Sequence, residues 1–232
     1  MKKVTIINQN KGGVGKSFLT ALILEKEKNT SPNSFIIIDV DSGNRSTYKR
    51  FSENEVYAQF VDEFSLLKGD AVDKGLFNTF FADISIGNLD KFYLDLGGNE
   101  SREILTLFQT IGVANVADFF RASGIEVEFM TVLKCGDRDC IDHFKNVITQ
   151  IDSHFKHVCM VNANSYDNES VDAYVALQAL CKKENVEFRT FGKCPSGLIA
   201  DTISDYVRSG FQSSLGMFKG IFIGMVETLN LA

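Results

Sequence analysis

At 232 residues with a formal charge of −6, the chain is long enough for one substantial core and too acidic to be coated with nucleic-acid-binding charge. Hydrophobic and charged contents of 44% and 23% suit a globular protein, and no apolar run reaches the roughly 18 residues of a membrane span, because Lys219 and Glu227 interrupt the most apolar region. Five cysteines, an odd number, with no secretory pattern before Val4 lead us to expect a reducing cytoplasm; two prolines and no composition break predict a single domain over residues 1–232.

Strand-like and helix-like segments then alternate along the chain. Val4, Ile6 and Ile7 form a short apolar run, and after three glycines Phe18, Leu19, Leu22 and Ile23 recur at helical spacing, predicting a helix over about 16–28. The cluster around Pro32 is a loop, and Phe35 to Asp39 reads as a buried strand. Residues 50–90 are weakly patterned, with helices expected at about 55–68 and 71–83. Residues 91–95 are a strand ending in Asp95, followed by a helix carrying Ile104, Phe108 and Ile111. Further strands fall at 127–133, 157–162 and 186–191. Between and after them, helix faces are formed by Phe144, Val147 and Ile151, by Tyr174, Leu177 and Cys181, and by Ile199, Ile203 and Tyr206. Such alternation predicts an α/β fold with right-handed crossovers and a doubly wound, mostly parallel sheet flanked by helices. Ligands of such sheets sit at the carboxyl ends of the strands, where Asn8, Asp39, Asp95 and Asn162 fall.

The stretch between the first strand and first helix carries the most chemistry. Gly12, Gly13 and Gly15 allow the backbone to turn its N–H groups inward, and amides gathered at a helix N-terminus make an anion site. Lys16 adds a point charge for phosphate oxygens, and Ser17 offers a hydroxyl to Mg²⁺. Gly15-Lys16-Ser17 meets the end of the phosphate-loop pattern, but Asn10 stands where its first glycine belongs, and a second lysine, Lys11, precedes the glycines.

The string from Lys11 to Ser17 resembles the deviant Walker A motif of the ParA/MinD family of P-loop ATPases, whose architecture is SIMIBI-like. The resemblance implies ATP and Mg²⁺ as ligands, with Gly12, Gly13, Val14, Gly15, Lys16, Ser17 and Phe18 around the nucleotide. It also implies an ATP-dependent homodimer in which Lys11 reaches the partner's nucleotide while Lys16 stabilises charge in cis. The segment from Asp39 to Thr47 is similar to the family's switch I region, with Asp41 orienting the attacking water and Asp39 supporting the magnesium shell; Ser42 and Gly43 replace the usual Pro-Gln. Asp95-Leu96-Gly97-Gly98 looks like Walker B running into switch II, with Asp95 toward the metal and Gly98 offering an N–H to the γ-phosphate. By the same resemblance Asn162 reads the adenine edge, a capping or turn asparagine being the alternative, and Pro195 with its neighbours packs on the base.

Other features are weighed against plainer roles. Cys135, Cys140 and His143 lack the spacing of a zinc site and read as an incidental loop, and the cluster-binding cysteines of iron–sulfur relatives are missing around switch II. The final segment, 215–232, reads as a docked helix whose Gly216, Gly220 and Gly224 suit close packing; with one lysine against one glutamate it is a poor membrane-surface helix. Lys182, Lys183, Arg189, Lys193 and Arg208 are candidates for non-specific DNA contact after dimerisation. No helix-turn-helix extension precedes residue 4, so sequence-specific operator binding is not expected. The resulting expectation is a slow, partner-stimulated ATPase switch in plasmid or DNA partition or positioning, its partner a small DNA-binding or activator protein. Two alternatives are an ATP-bound adaptor in conjugative transfer or plasmid stability with negligible hydrolysis, and a metabolic P-loop ligase or kinase with an acceptor pocket in residues 50–90.

Overall fold

The computed structural model describes residues 1–163, 171–195 and 197–231. Strand β1 (Lys2–Asn8) leads through the glycine loop into α1 (Lys16–Thr30), then β2 (Phe35–Asp39), α2 (Ser46–Phe51) and β3 (Val61–Glu63). A small antiparallel hairpin, β4 (Leu67–Lys68) and β5 (Ala71–Val72), precedes α3 (Lys74–Ile86). The chain continues as β6 (Lys91–Asp95), α4 (Gly98–Ile111), α5 (Val113–Ala122), β7 (Ile125–Lys134) and α6 (Arg138–Ile151). It ends with β8 (Lys156–Asn162), α7 (Val171–Lys183), β9 (Glu187–Phe191), α8 (Leu198–Arg208) and α9 (Lys219–Thr228).

The larger sheet has the order β3-β2-β6-β1-β7-β8-β9, every pairing parallel. From β1 the chain winds out to β2 and the β3 edge, returns through β6 beside β1, and then crosses to β7, β8 and β9 on the far side. The reversal of winding therefore flanks β1, opening a crevice at its carboxyl end. Register places Asp39 opposite Asp95 and Asp95 opposite Ile7, so two carboxylates stand on neighbouring strand ends beside the glycine loop. The doubly wound parallel fold is as expected.

Helices cover both sheet faces. Leu19, Leu22 and Ile23 of α1 pack with Leu177 of α7, Ile203 of α8 and Phe222 of α9. On the other face α3, α4 and α5 contribute Phe77, Phe81, Ile104, Phe108 and Phe120. Phe108 is fully buried, with ring centroids 6.1 Å from Phe77, 5.9 Å from Phe129 and 5.5 Å from Phe155. Removing such a ring leaves a cavity whose rigid neighbours cannot collapse, so Phe108→Ala is expected to cost about 3–5 kcal/mol. Urea denaturation would register this as a lowered midpoint with an unchanged slope.

Two expectations need correction, and one holds with a shift of three residues. The helix at about 55–68 is replaced by a 3₁₀ turn (Ala58–Phe60) and by β3 and β4. Tyr57, Phe60, Val61 and Phe64 have helical spacing, but Val61–Glu63 gains a pairing with β2, and Phe60 stacks on Phe35 with centroids 5.1 Å apart. The second expected helix is α3, three residues later and capped by Asp73, whose carboxylate accepts the Gly75 and Leu76 amides. At the C-terminus α9 does dock on α1, burying Phe222, Met225 and Val226. A Cβ added at Gly216, Gly220 or Gly224 would meet nothing within 4 Å, so the small-residue row faces open space rather than a packed helix. No helix among the described residues is long and apolar enough to cross a membrane.

Candidate nucleotide site

The loop after β1 is built from backbone constraints. Gly13 (φ 74°) and Gly15 (φ 106°) take conformations costly for other residues. Gly15 is restricted twice over, because a Cβ there would lie 2.5 Å from Asn162 Nδ2. Lys16 turns back across the loop, its ammonium donating to the Gln9 carbonyl at 2.9 Å. Burial lowers the pKa of Lys16, opposed by the charges of Asp95, Asp41 and, more weakly, Glu100. Beneath the loop, the fully buried Gln9 donates from Nε2 to the Val132 carbonyl at 2.9 Å and accepts the Lys11 amide at 3.3 Å.

The carboxylates are held just as closely. Asp39 accepts the amides of Thr47 (2.8 Å), Tyr48 (2.9 Å) and Asp41 (3.1 Å), which partly offset the upward push of burial on its pKa. Asp95 accepts the hydroxyls of Thr47 (2.7 Å) and Thr20 (3.1 Å), and burial raises its carboxyl to about 6. Asp41 accepts the amides of Gly43 (2.9 Å) and Asn44 (3.0 Å), an Asx-type turn that holds its carboxylate at the start of the segment before α2. Ser17 Oγ lies 3.1 Å from Ser46 Oγ, joining the first turns of α1 and α2.

A cavity of about 310 Å³ opens between these parts. Gly12, Gly13, Val14, Gly15, Lys16, Ser17 and Phe18 line it from one side, and Asp39, Asp41, Asp95, Asn44 and Ser46 from the other. Three expected residues border the loop instead of lining the cavity. Asn162 ends β8 and donates from Nδ2 to the Val14 carbonyl at 3.1 Å. Gly98 packs against the loop backbone so closely that a Cβ would lie 2.7 Å from the Asn10 carbonyl oxygen. Lys11 points to the start of α6 of its own chain, contacting Asp137 at 2.9 Å and Asp139 at 3.1 Å, bonds that hold its ammonium protonated well above the usual lysine range.

Four contributors are not singled out in the sequence: Gln9, Thr20, Thr47 (which falls only within the segment similar to switch I) and Glu100. The first three are uncharged residues whose value comes only from what the fold puts beside them. Glu100 is 1% exposed, and its Oε1 accepts both the amide (3.0 Å) and the hydroxyl of Ser42. Other expected positions are less central. Pro195 is exposed, while Phe18 and Phe191 pair at 6.4 Å beside Asn162. Ser196, one of the neighbours expected over the base, lies outside the described residues. Cys135 and Cys140 are buried, and His143 bonds to Asn8 Oδ1 at 3.2 Å; among the described residues no group of three metal-type ligands converges. Arg189 must leave the set of surface cations, because it is 7% exposed and bonded to Glu187 and the Asn230 carbonyl; Lys182, Lys183, Lys193 and Arg208 are exposed.

Among solved structures, the MinD cell division protein of Aquifex aeolicus superposes over 99% of this chain and 100% of its own, with a TM-score of 0.53 and 16% identity. The chain has a ParA/MinD-type fold. Two structures of cobyrinic acid a,c-diamide synthase from Mycobacterium smegmatis, one with ADP and magnesium and one with an ATP analogue and magnesium, match 90% of the chain and 97% of their own. Their TM-scores are 0.42, at 14% and 15% identity. No protein-family model matches the chain, and no curated protein matches it in sequence. Within the MinD-type frame, the glycine loop and the two strand-end aspartates occupy the crevice at the sheet's switch point.

Proposed function

We propose that this chain is an ATP-binding, slowly hydrolysing switch of the ParA/MinD kind, a cytoplasmic protein that forms a homodimer on ATP and serves partition or positioning of plasmid or other DNA. The observation that carries the reading is the convergence of the Gly12–Ser17 loop, Asp39, Asp41 and Asp95 on one cavity. The donor set suits a magnesium nucleotide: inward amides and an ammonium for the phosphates, and hydroxyl and carboxylate oxygens for a hard cation. Ser17, with Asp39 and Asp95 behind it, would hold Mg²⁺, which supplies charge neutralisation across the phosphate oxygens.

In hydrolysis, the loop amides and Lys16 bind the triphosphate and stabilise charge developing on its oxygens. Asp41 orients the water for in-line attack, and Gly98 offers its amide toward the terminal phosphate. Lys11 leaves Asp137 and Asp139 to serve the partner's nucleotide. Asn162, whose Nδ2 donates to the Val14 carbonyl, is assigned to reading the adenine base with its side-chain amide. Release of the γ-phosphate frees the start of α4, an order–disorder switch that a DNA-bound or activator partner can sense. The exposed Lys182, Lys183, Lys193 and Arg208 would give that dimer weak, salt-sensitive DNA contact.

Titration with a fluorescent ATP analogue tests the site. Lys16→Ala removes a charge-assisted phosphate contact and is expected to weaken binding about 10–100-fold. Equal affinity in parent and variant, or saturation by a small acid in place of ATP, would move the function elsewhere.

A further inference from the structure

Glu100 is a buried acid that none of the roles above employs. It occupies the third residue of α4, where a glutamate commonly folds back to cap its own helix. No side-chain cap forms at Gly97; the carboxylate instead reaches into the turn after β2 and takes both donors of Ser42. Burying a carboxylate is costly unless it is hydrogen-bonded, so this arrangement fixes the Ser42 turn to the start of α4. Asp41, the residue before Ser42, is fastened by the same turn through Gly43 and Asn44. Gly97 makes the approach feasible: a Cβ there would run into Glu100 Oε2 and would lie 2.9 Å from the Asp41 carboxyl. Two carboxylates from different segments thus share the space above one glycine, and one of them, Asp41, lines the cavity.

We propose that Glu100 is a positioning residue: by gripping Ser42 it ties the loop bearing Asp41 to the first turn of α4, so that water orientation and phosphate sensing move as one body. The inference rests on the ATPase reading above for its catalytic consequence, though the tie itself is a property of the fold. It also gives a physical account of Ser42 standing where the family pattern has proline. A proline there could offer neither donor to Glu100.

Because Ser42 only donates in this contact, Glu100→Gln preserves an acceptor, whereas Glu100→Ala removes it. With ATP binding measured separately, Glu100→Ala and Ser42→Ala are each expected to lower kcat, to a limit of about 100-fold set by misplacement of the water-orienting group, with little change in ATP affinity. The double variant should be no slower than the worse single one, and Glu100→Gln should recover most of the rate. Gly97→Ala, which crowds both carboxylates, should behave like Glu100→Ala. Failure of Glu100→Gln to restore the rate, or additive losses in the double variant, would overturn positioning in favour of direct chemistry or unrelated damage. Hydrogen exchange supplies an arm that needs no nucleotide: Glu100→Ala is expected to speed exchange of the Ser42 amide about tenfold or more. Unchanged Ser42 exchange overturns the tie even if ATP hydrolysis is confirmed. Faster Ser42 exchange in Glu100→Ala, together with a parent that binds no ATP, would retain the tie and reject only the ATPase reading.

Discussion

Replacing Lys11 with alanine is expected to lower ATP turnover by about 10³-fold or more, the scale of a cation supplied in trans to a transferring phosphoryl group. The fold should survive, because the Lys11 side chain is 39% exposed and its partners, Asp137 and Asp139, lie at the rim of α6. Binding of ATP to a single chain should also survive, since Lys11 does not line the cavity that Lys16 and Ser17 enclose. What should fail is the step needing two chains. The contacts with Asp137 and Asp139 hold the Lys11 ammonium at the start of α6 in the single chain, and on the proposed reading it leaves them when two chains meet. Surface ion pairs are weak, so this hold yields readily to a triphosphate. Changing Asp137 and Asp139 together to asparagine should therefore lower the ATP concentration at which dimers form. Light scattering with a non-hydrolysable analogue, paired with phosphate release at saturating ATP, reads both effects. A Lys11→Ala protein that dimerises and turns over like its parent would take the lysine out of the chemistry.

The parts of the site that could be read from sequence are those whose chemistry is local. Gly12 to Ser17 form their own nest, and Asp39 and Asp95 announce themselves by ending apolar strands. Asp41 follows from its place two residues beyond Asp39. The fold was legible for a similar reason: strands such as Phe35–Asp39 are apolar on both faces because helices cover both, a pattern peculiar to buried parallel sheets. Within residues 50–90 the helix now seen as α3 was legible to within three residues, but the stretch before it was not, because β3 exists only through its pairing with β2 and the β4–β5 hairpin is two residues wide. Glu100 was missed because an acid three residues into a helix normally serves that helix. Its actual partner is 58 positions away. Arg189 was misjudged because a cation in a strand of alternating polarity reads as solvent-facing, and only the fold brings it the Asn230 carbonyl. Function follows the same division. The phosphate chemistry is local and readable, whereas the direction of Lys11 and the latch on Asp41 depend on loops that meet from separate crossovers.

Asp95→Asn should make the protein without nucleotide more stable and the enzyme worse. Asp95 is buried beside Asp39, and its carboxyl is raised from 3.8 to about 6, chiefly by burial. A folded-state value above the unfolded one means that the native state holds the proton more tightly. The ionised carboxylate therefore costs stability above pH 6, and that cost fades as the pH falls from about 6 toward 4. At about 1.4 kcal/mol per unit, it is on the order of 3 kcal/mol at neutral pH. Asparagine keeps an oxygen to accept Thr20 and Thr47 and carries no charge. A gain of about 1–3 kcal/mol at pH 8 is expected, closing as the pH approaches 4. On the proposed reading turnover should fall about 10–100-fold, as when a group behind a metal ligand is altered, because the charge that destabilises the crevice is the one that a magnesium nucleotide would need there. Urea midpoints at pH 8, 7, 6 and 5, set beside phosphate release at pH 8, measure both sides. A variant less stable than its parent at pH 8, with a gap indifferent to pH, would show that Asp95 is not a strained metal-site carboxylate but an ordinary member of the core's hydrogen-bond network.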